Sequence, residues 1–127
     1  MSEMNRGNRP LSPHLTIYRP QLTSMTSILV RITGNALILA ALLIVCWLFA
    51  AATSPEYFAF VDGILTSVFG KTIMLGSIWA LWYHTLGGVR HLIWDNAQGL
   101  DLETAYKLGW AVVYGSGFLT LITVLIL

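Results

Sequence analysis

The stretch ILVRITGNALILAALLIVCWLFAAA, from Ile28 to Ala52, decides the fold. Only Arg31, Thr33 and Asn35, all near its start, break its apolar character. It exceeds the roughly 20 helical residues that cross a ~30 Å hydrocarbon core, so it reads as a membrane-spanning α-helix. Two further apolar segments follow, from about Lys71 to Trp94 and from about Leu108 to Leu127. The expectation is an all-α integral membrane protein with transmembrane helices at about 28–52, 71–94 and 108–127, as a single membrane-anchor domain behind an arm of residues 1–22. Between the first two blocks, Thr53-Ser54-Pro55-Glu56 reads as a turn. Tyr57 to Gly70 reads as an interfacial amphipathic turn or an early extension of the second helix.

Composition agrees with lipid as the solvent. Of 127 residues, 56% are hydrophobic and 10% charged, and mean hydropathy is +0.70. A soluble domain of this size has too much surface to carry so few charges. A net charge of +1 leaves no electrostatic footprint for nucleic acid. The one cysteine, Cys46, lies inside an apolar block and reads as a small buried apolar residue. There is no Cys-x-x-Cys-His for covalent haem attachment. The arm has no short apolar run ending at a cleavage site and is too poor in Arg and Ser for an organelle transit peptide. It reads as the start of a bacterial inner-membrane protein.

Charge orients the helices. Arg6, Arg9, Arg19, Arg31, Arg90 and Lys107 fall on the side of the arm and the Asp95–Lys107 loop, whereas Lys71 stands opposite with Glu56 and Asp62. Because Lys and Arg accumulate on the cytoplasmic side, the amino terminus is expected in the cytoplasm and the carboxyl terminus in the periplasm. Trp94 and Trp110 suit the cytoplasmic interface.

Chemistry concentrates on the second block. His84 lies in Trp79-Ala-Leu-Trp-Tyr-His84-Thr-Leu-Gly-Gly-Val-Arg90-His91. Arg90 follows about 9 Å further along the helix axis, which places His84 roughly a third of the way into the membrane. An ionisable ring at that depth needs a partner. A neighbouring helix is one choice; a b-type haem iron is another. Gly87 and Gly88, at i+3 and i+4, either remove side chains so that a flat group can lie on the backbone, or allow close helix packing. His91, at i+7, and an arginine stand at the water boundary, where porphyrin propionates would emerge. Neither His14 nor His91 can reach the opposite face of a haem held by His84. A second axial ligand would then come from another chain.

The first block carries Ser24-Met-Thr-Ser27-Ile-Leu-Val-Arg31-Ile-Thr-Gly34. Ser27 and Arg31, at i and i+4, share a helix face. A hydroxyl and a guanidinium at the membrane edge suit a quinone headgroup, the cation stabilising charge that develops on reduction. The plain alternative is a serine cap and an arginine snorkelling to phosphates.

Arg9-Pro-Leu-Ser-Pro-His14-Leu-Thr-Ile-Tyr18, Ser24-Met-Thr-Ser27-Ile, Arg31-Ile-Thr-Gly34 and His84…Gly88-Val-Arg90-His91-Leu-Ile-Trp-Asp95 together resemble the cytochrome b membrane subunit of succinate dehydrogenase, in its alphaproteobacterial and mitochondrial branch. The resemblance spans nearly the whole chain. It implies haem b with His84 as an axial iron ligand, and a second small hydrophobic membrane subunit that donates the other. It implies ubiquinone contacts at Ser27 and Arg31, and Arg31 and His91 near the haem propionates. It also implies an iron–sulfur subunit and a flavoprotein subunit that oxidises succinate, both docked on the cytoplasmic face. Val30 stands where this family often has histidine, so Arg31, His91 and the partner chain would hold the propionate edge. Two rival readings are a cofactor-free structural anchor, which leaves His84 unexplained, and a small transporter or proton relay. The latter needs polar groups through the whole bilayer, whereas the polar side chains here gather in the cytoplasmic half.

Overall fold

The computed structural model describes residues 17–127. Four helices follow one another: α1 (Leu22–Thr53), α2 (Pro55–Thr66), α3 (Val68–Asp95) and α4 (Leu102–Ile126). Among the described residues there is no strand, and the all-α expectation holds. At 32 residues, α1 is about 48 Å long and overshoots a hydrocarbon core at its ends. It starts at Leu22 rather than near Ile28. The added turn is polar but locally satisfied: Ser24 Oγ accepts from the Gln21 N–H at 3.3 Å and donates to the Gln21 carbonyl at 2.9 Å. Apolarity marks the part of a helix that meets lipid, not the part that is helical.

The same reasoning explains the other starts. α4 begins at Leu102 because Asp101 caps it, accepting from Thr104 N–H at 2.9 Å, with Glu103 in the first turn complementing the helix dipole. Ser54 caps α2, accepting from Tyr57 N–H at 3.2 Å, with Pro55 at the first helical position. Tyr57 to Gly70 thus forms neither a turn nor a straight extension: α2 is a separate helix, bent 71° from α3. Ser67 caps α3 through Gly70 N–H at 3.1 Å. A side chain on Gly70 would strike the carbonyl oxygens of Ile64 and Leu65, so the sharp bend requires glycine there. α2 is tied back to α1 by Trp47 Nε1 donating to Asp62 Oδ1 at 3.1 Å and by Trp47 packing on Phe58.

α1 and α4 are each long and apolar enough to cross a membrane; α3 reaches that standard together with α2 as a bent pair. Trp79, Trp82, Tyr83, His84, Arg90 and His91 all sit on α3 and dilute its apolarity. The outward faces are strongly exposed and apolar, as at Leu39, Phe49 and Leu125 (75% exposed), which water would penalise and lipid does not. Inside, α3 packs against both α1 and α4 around Val30, Tyr83 and Val112. Small residues set the spacing, as is usual in membranes. Gly87 lies beneath Val30, Gly109 against Leu22 and Gly115 against Leu86. Trp82 Nε1 donates to Thr123 Oγ1 at 2.9 Å, a polar tie between α3 and α4.

Candidate functional site: the seam between α1 and α3

His84 is half-buried on α3, where α1 crosses it. Its Nδ1 lies 3.0 Å from the Val30 carbonyl oxygen. A carbonyl only accepts, so Nδ1 carries a proton, and in the neutral ring it is Nε2 that keeps the lone pair. The ring fits because residue 34 has no side chain: a Cβ on Gly34 would stand 2.9 Å from His84 Cε1 and 3.3 Å from Nδ1. Thr33 reinforces the same turn, its hydroxyl directed at the carbonyls of Leu29 (2.8 Å) and Val30 (3.0 Å). A metal-ligating histidine needs this arrangement, with one nitrogen anchored to the protein and the other free to donate electrons.

The two glycines divide their work. Gly87 is buried and packs under Val30, whereas a Cβ on Gly88 would meet nothing within 4 Å among the described residues. Helix packing accounts for Gly87. Only Gly88 leaves open backbone on the flank shared with His84.

Ser27 is half-buried and Arg31 exposed, one turn apart on α1. Arg31 follows directly on Val30, so the peptide gripped by His84 is the one that leads into Arg31. His91 is exposed and meets the Trp94 ring edge-on, with centroids 5.4 Å apart. Asp95 closes α3 and is exposed. His84 is thus brought against α1 beside Arg31, while no hydrogen bond joins Arg31 to His91 among the described residues. His14 lies outside the described residues. Among those described, no three His, Cys, Asp or Glu side chains gather as a metal-binding group.

Sequence reasoning missed three participants. Val30 contributes through its backbone, which no side-chain pattern reports. Gly34 serves as the seat of the imidazole; a lone glycine beside Thr33 in an apolar run was the available signal. Arg90, read as a marker of the water boundary, is 1% exposed. Its Nη1 donates to Thr26 Oγ1 at 2.6 Å and its guanidinium lies 4.7 Å from the Trp94 ring centre. Away from Arg90, α1, α2 and α3 line a half-open cavity of about 410 Å³ bordered by Leu37, Ala41, Ile44, Leu65, Met74 and Leu81. It has almost no polar group to orient a headgroup, which leaves the polar chemistry at the α1–α3 seam.

Helices that expose apolar faces outward and meet through glycines, with an imidazole held at an interhelical seam, define an all-helical integral membrane protein. The match to known proteins is specific. Residues 5–124 fit the family model described as succinate dehydrogenase/fumarate reductase transmembrane subunit. The chain is 50% identical over 126 residues to the succinate dehydrogenase cytochrome b556 subunit of Paracoccus denitrificans, covering 99% of this chain and 97% of that one. It is 39% identical to the cytochrome b556 subunit of Rickettsia conorii, covering 90% and 89%. It is 38% identical to the cytochrome b560 subunit of Marchantia polymorpha, covering 93% and 90%. The chain belongs to the succinate dehydrogenase/fumarate reductase transmembrane subunit family.

Proposed function

We propose that this chain is the membrane-anchoring cytochrome b subunit of a succinate dehydrogenase, which binds haem b through His84 and helps form a ubiquinone-reduction site at Ser27 and Arg31. The observation that carries the reading is the bond from His84 Nδ1–H to the Val30 carbonyl. It fixes the tautomer in which Nε2 is the free donor, and a neutral imidazole so held is a good axial ligand. Gly88 leaves space on the same flank for a flat group. Arg31 and His91, both exposed, would supply positive or hydrogen-bonding groups for its propionates. Haem b would supply one-electron redox capacity, and a second small hydrophobic membrane subunit would share in holding it.

The chemistry assigned to this chain is binding and charge stabilisation. Succinate is oxidised at the flavin of a flavoprotein subunit, and electrons pass through the clusters of an iron–sulfur subunit to ubiquinone, which takes up two electrons and two protons to become the quinol. Ser27 donates a hydrogen bond to a quinone oxygen. Arg31, permanently charged, stabilises the negative charge on that oxygen as electrons arrive. The isoprenoid tail remains in lipid. The soluble subunits dock on the cytoplasmic face of a bacterial inner membrane, where the amino arm and the connection between α3 and α4 lie, and the carboxyl terminus is periplasmic.

The same His84–Val30 bond also suits a cofactor-free anchor, in which the imidazole only ties α3 to α1. A reduced-minus-oxidised optical spectrum of the purified complex separates the two. A low-spin b-type signal that is lost in His84→Leu supports the haem reading. A complex without such a signal establishes the plain anchor.

A further inference from the structure

Three residues of α3, Tyr83, His84 and Arg90, hydrogen-bond α1, each beside a residue assigned to the quinone. His84 holds the Val30 carbonyl, next to Arg31. Arg90 holds Thr26, next to Ser27. Thr26 is 1% exposed and engaged through both its hydroxyl and its carbonyl. Its hydroxyl donates to the Thr23 carbonyl at 3.2 Å, which turns its lone pairs toward Arg90 Nη1 at 2.6 Å. Its own carbonyl, in the peptide that leads into Ser27, accepts from Tyr83 Oη at 3.4 Å. On its other sides the guanidinium meets Trp94, and Nη1 lies 3.9 Å from where a Cβ on Gly109 would stand.

As a stabilising device this is a poor choice. Arg90 Nε and Nη2 are buried without a hydrogen-bond partner among the described residues. Buried donors left unpaired are costly, and an apolar side chain of similar volume commonly serves packing better than a buried charge. What the guanidinium provides that an apolar residue cannot is a short, charge-assisted, directional bond to one hydroxyl.

We infer that Arg90, with Tyr83, is a positioning residue for the quinone site: by clamping Thr26 it fixes where the Ser27 hydroxyl stands. The inference rests on the assignment of Ser27 to the quinone, and a comparison of variants separates failure of one from failure of the other. The measurement is steady-state reduction of a short-chain ubiquinone by succinate in the intact membrane-bound complex, beside succinate oxidation by an artificial acceptor that draws on the soluble subunits. Thr26→Val keeps the shape and removes the hydroxyl. It is expected to raise the KM for quinone several-fold, as Ser27→Ala does, and to leave the artificial-acceptor rate unchanged. Thr26→Ser, which keeps the hydroxyl, restores the wild-type KM. Thr26→Val combined with Ser27→Ala is no worse than the poorer single variant, because both remove the same interaction. Tyr83→Phe gives a smaller rise in KM and serves as the probe if Thr26→Val fails to assemble. If Ser27→Ala raises KM while Thr26→Val and Tyr83→Phe do not, the clamp has no positioning role. Singles whose effects multiply in the double variant overturn it equally. If Ser27→Ala leaves KM unchanged, the quinone assignment falls and the positioning role falls with it.

Discussion

The His84 imidazole and the Val30 carbonyl stand 3.0 Å apart across the α1–α3 seam. One helix therefore selects the tautomer of the only histidine deep in the other, and does so through backbone. Any residue at position 30 offers that carbonyl, so valine there is no obstacle to holding the ring.

Replacing His84 tests the ligand directly. His84→Leu is expected to abolish the low-spin haem signature of the complex or to convert it to a high-spin one, as read by optical and electron paramagnetic resonance spectra. An unchanged spectrum would assign the ligand to another residue.

The glycines give a graded test. A methyl group at Gly34 would stand closer to His84 Cε1 than carbon atoms normally approach. Gly34→Ala should displace the ring and lower haem content while the helices still assemble. Gly87→Ala drives a methyl group into Val30, an overpacking of about 1–3 kcal/mol, and should lower the thermal stability of the complex. Gly88→Ala meets no neighbouring helix or side chain within 4 Å among the described residues. It should leave the helix packing intact and affect only what lies on that open flank. Haem content per complex and melting temperature, measured for all three, separate these effects. Equal behaviour of Gly87→Ala and Gly88→Ala would contradict the division of labour.

Arg31→Ala should lose succinate-dependent quinone reduction while succinate oxidation by an artificial acceptor persists and the subunits stay on the membrane. The loss of a charge-assisted hydrogen bond, about 1.5–3 kcal/mol, corresponds to roughly ten- to a hundredfold in rate if it falls on the transition state. Ser27→Ala should cost less, nearer the ~0.5–1.5 kcal/mol of a neutral bond. If both activities fall together, Arg31 is an assembly or lipid-anchoring residue.

At the other end of the loop, the Thr104 N–H bonded to Asp101 holds that carboxyl below its ordinary range, with the α4 amino terminus stabilising the charged form. A folded-state pKa lowered in this way contributes stability above the unfolded value of about 4, and that contribution is lost as pH falls through the lower folded value. Protection of the Thr104 amide, taken relative to its intrinsic exchange rate, should fall on acidification in the wild-type chain. In Asp101→Asn, which caps without a titrating charge, the rate relative to other amides should not change with pH over that window.

Orientation is tested by a reporter fused after Leu127. The six-to-one division of basic residues between the two sides requires it to read as periplasmic. A cytoplasmic reading would remove the three-span arrangement.

Membrane residence and the all-α class were already determined by the sequence, because uninterrupted apolarity such as Ala36–Ala52 is a local property that lipid reads segment by segment. The histidine, the glycine pair and the Ser27–Arg31 spacing were legible for the same reason: each is a pattern along one helix. How those patterns meet was not. The burial of Gly87 but not Gly88, and the burial of Arg90 in a bond with Thr26, depend on how α1 crosses α3. A crossing is settled by which side chains interdigitate between helices far apart in sequence, and the partner of His84 is a carbonyl common to every residue. Only tertiary structure could single out Val30 from among its neighbours.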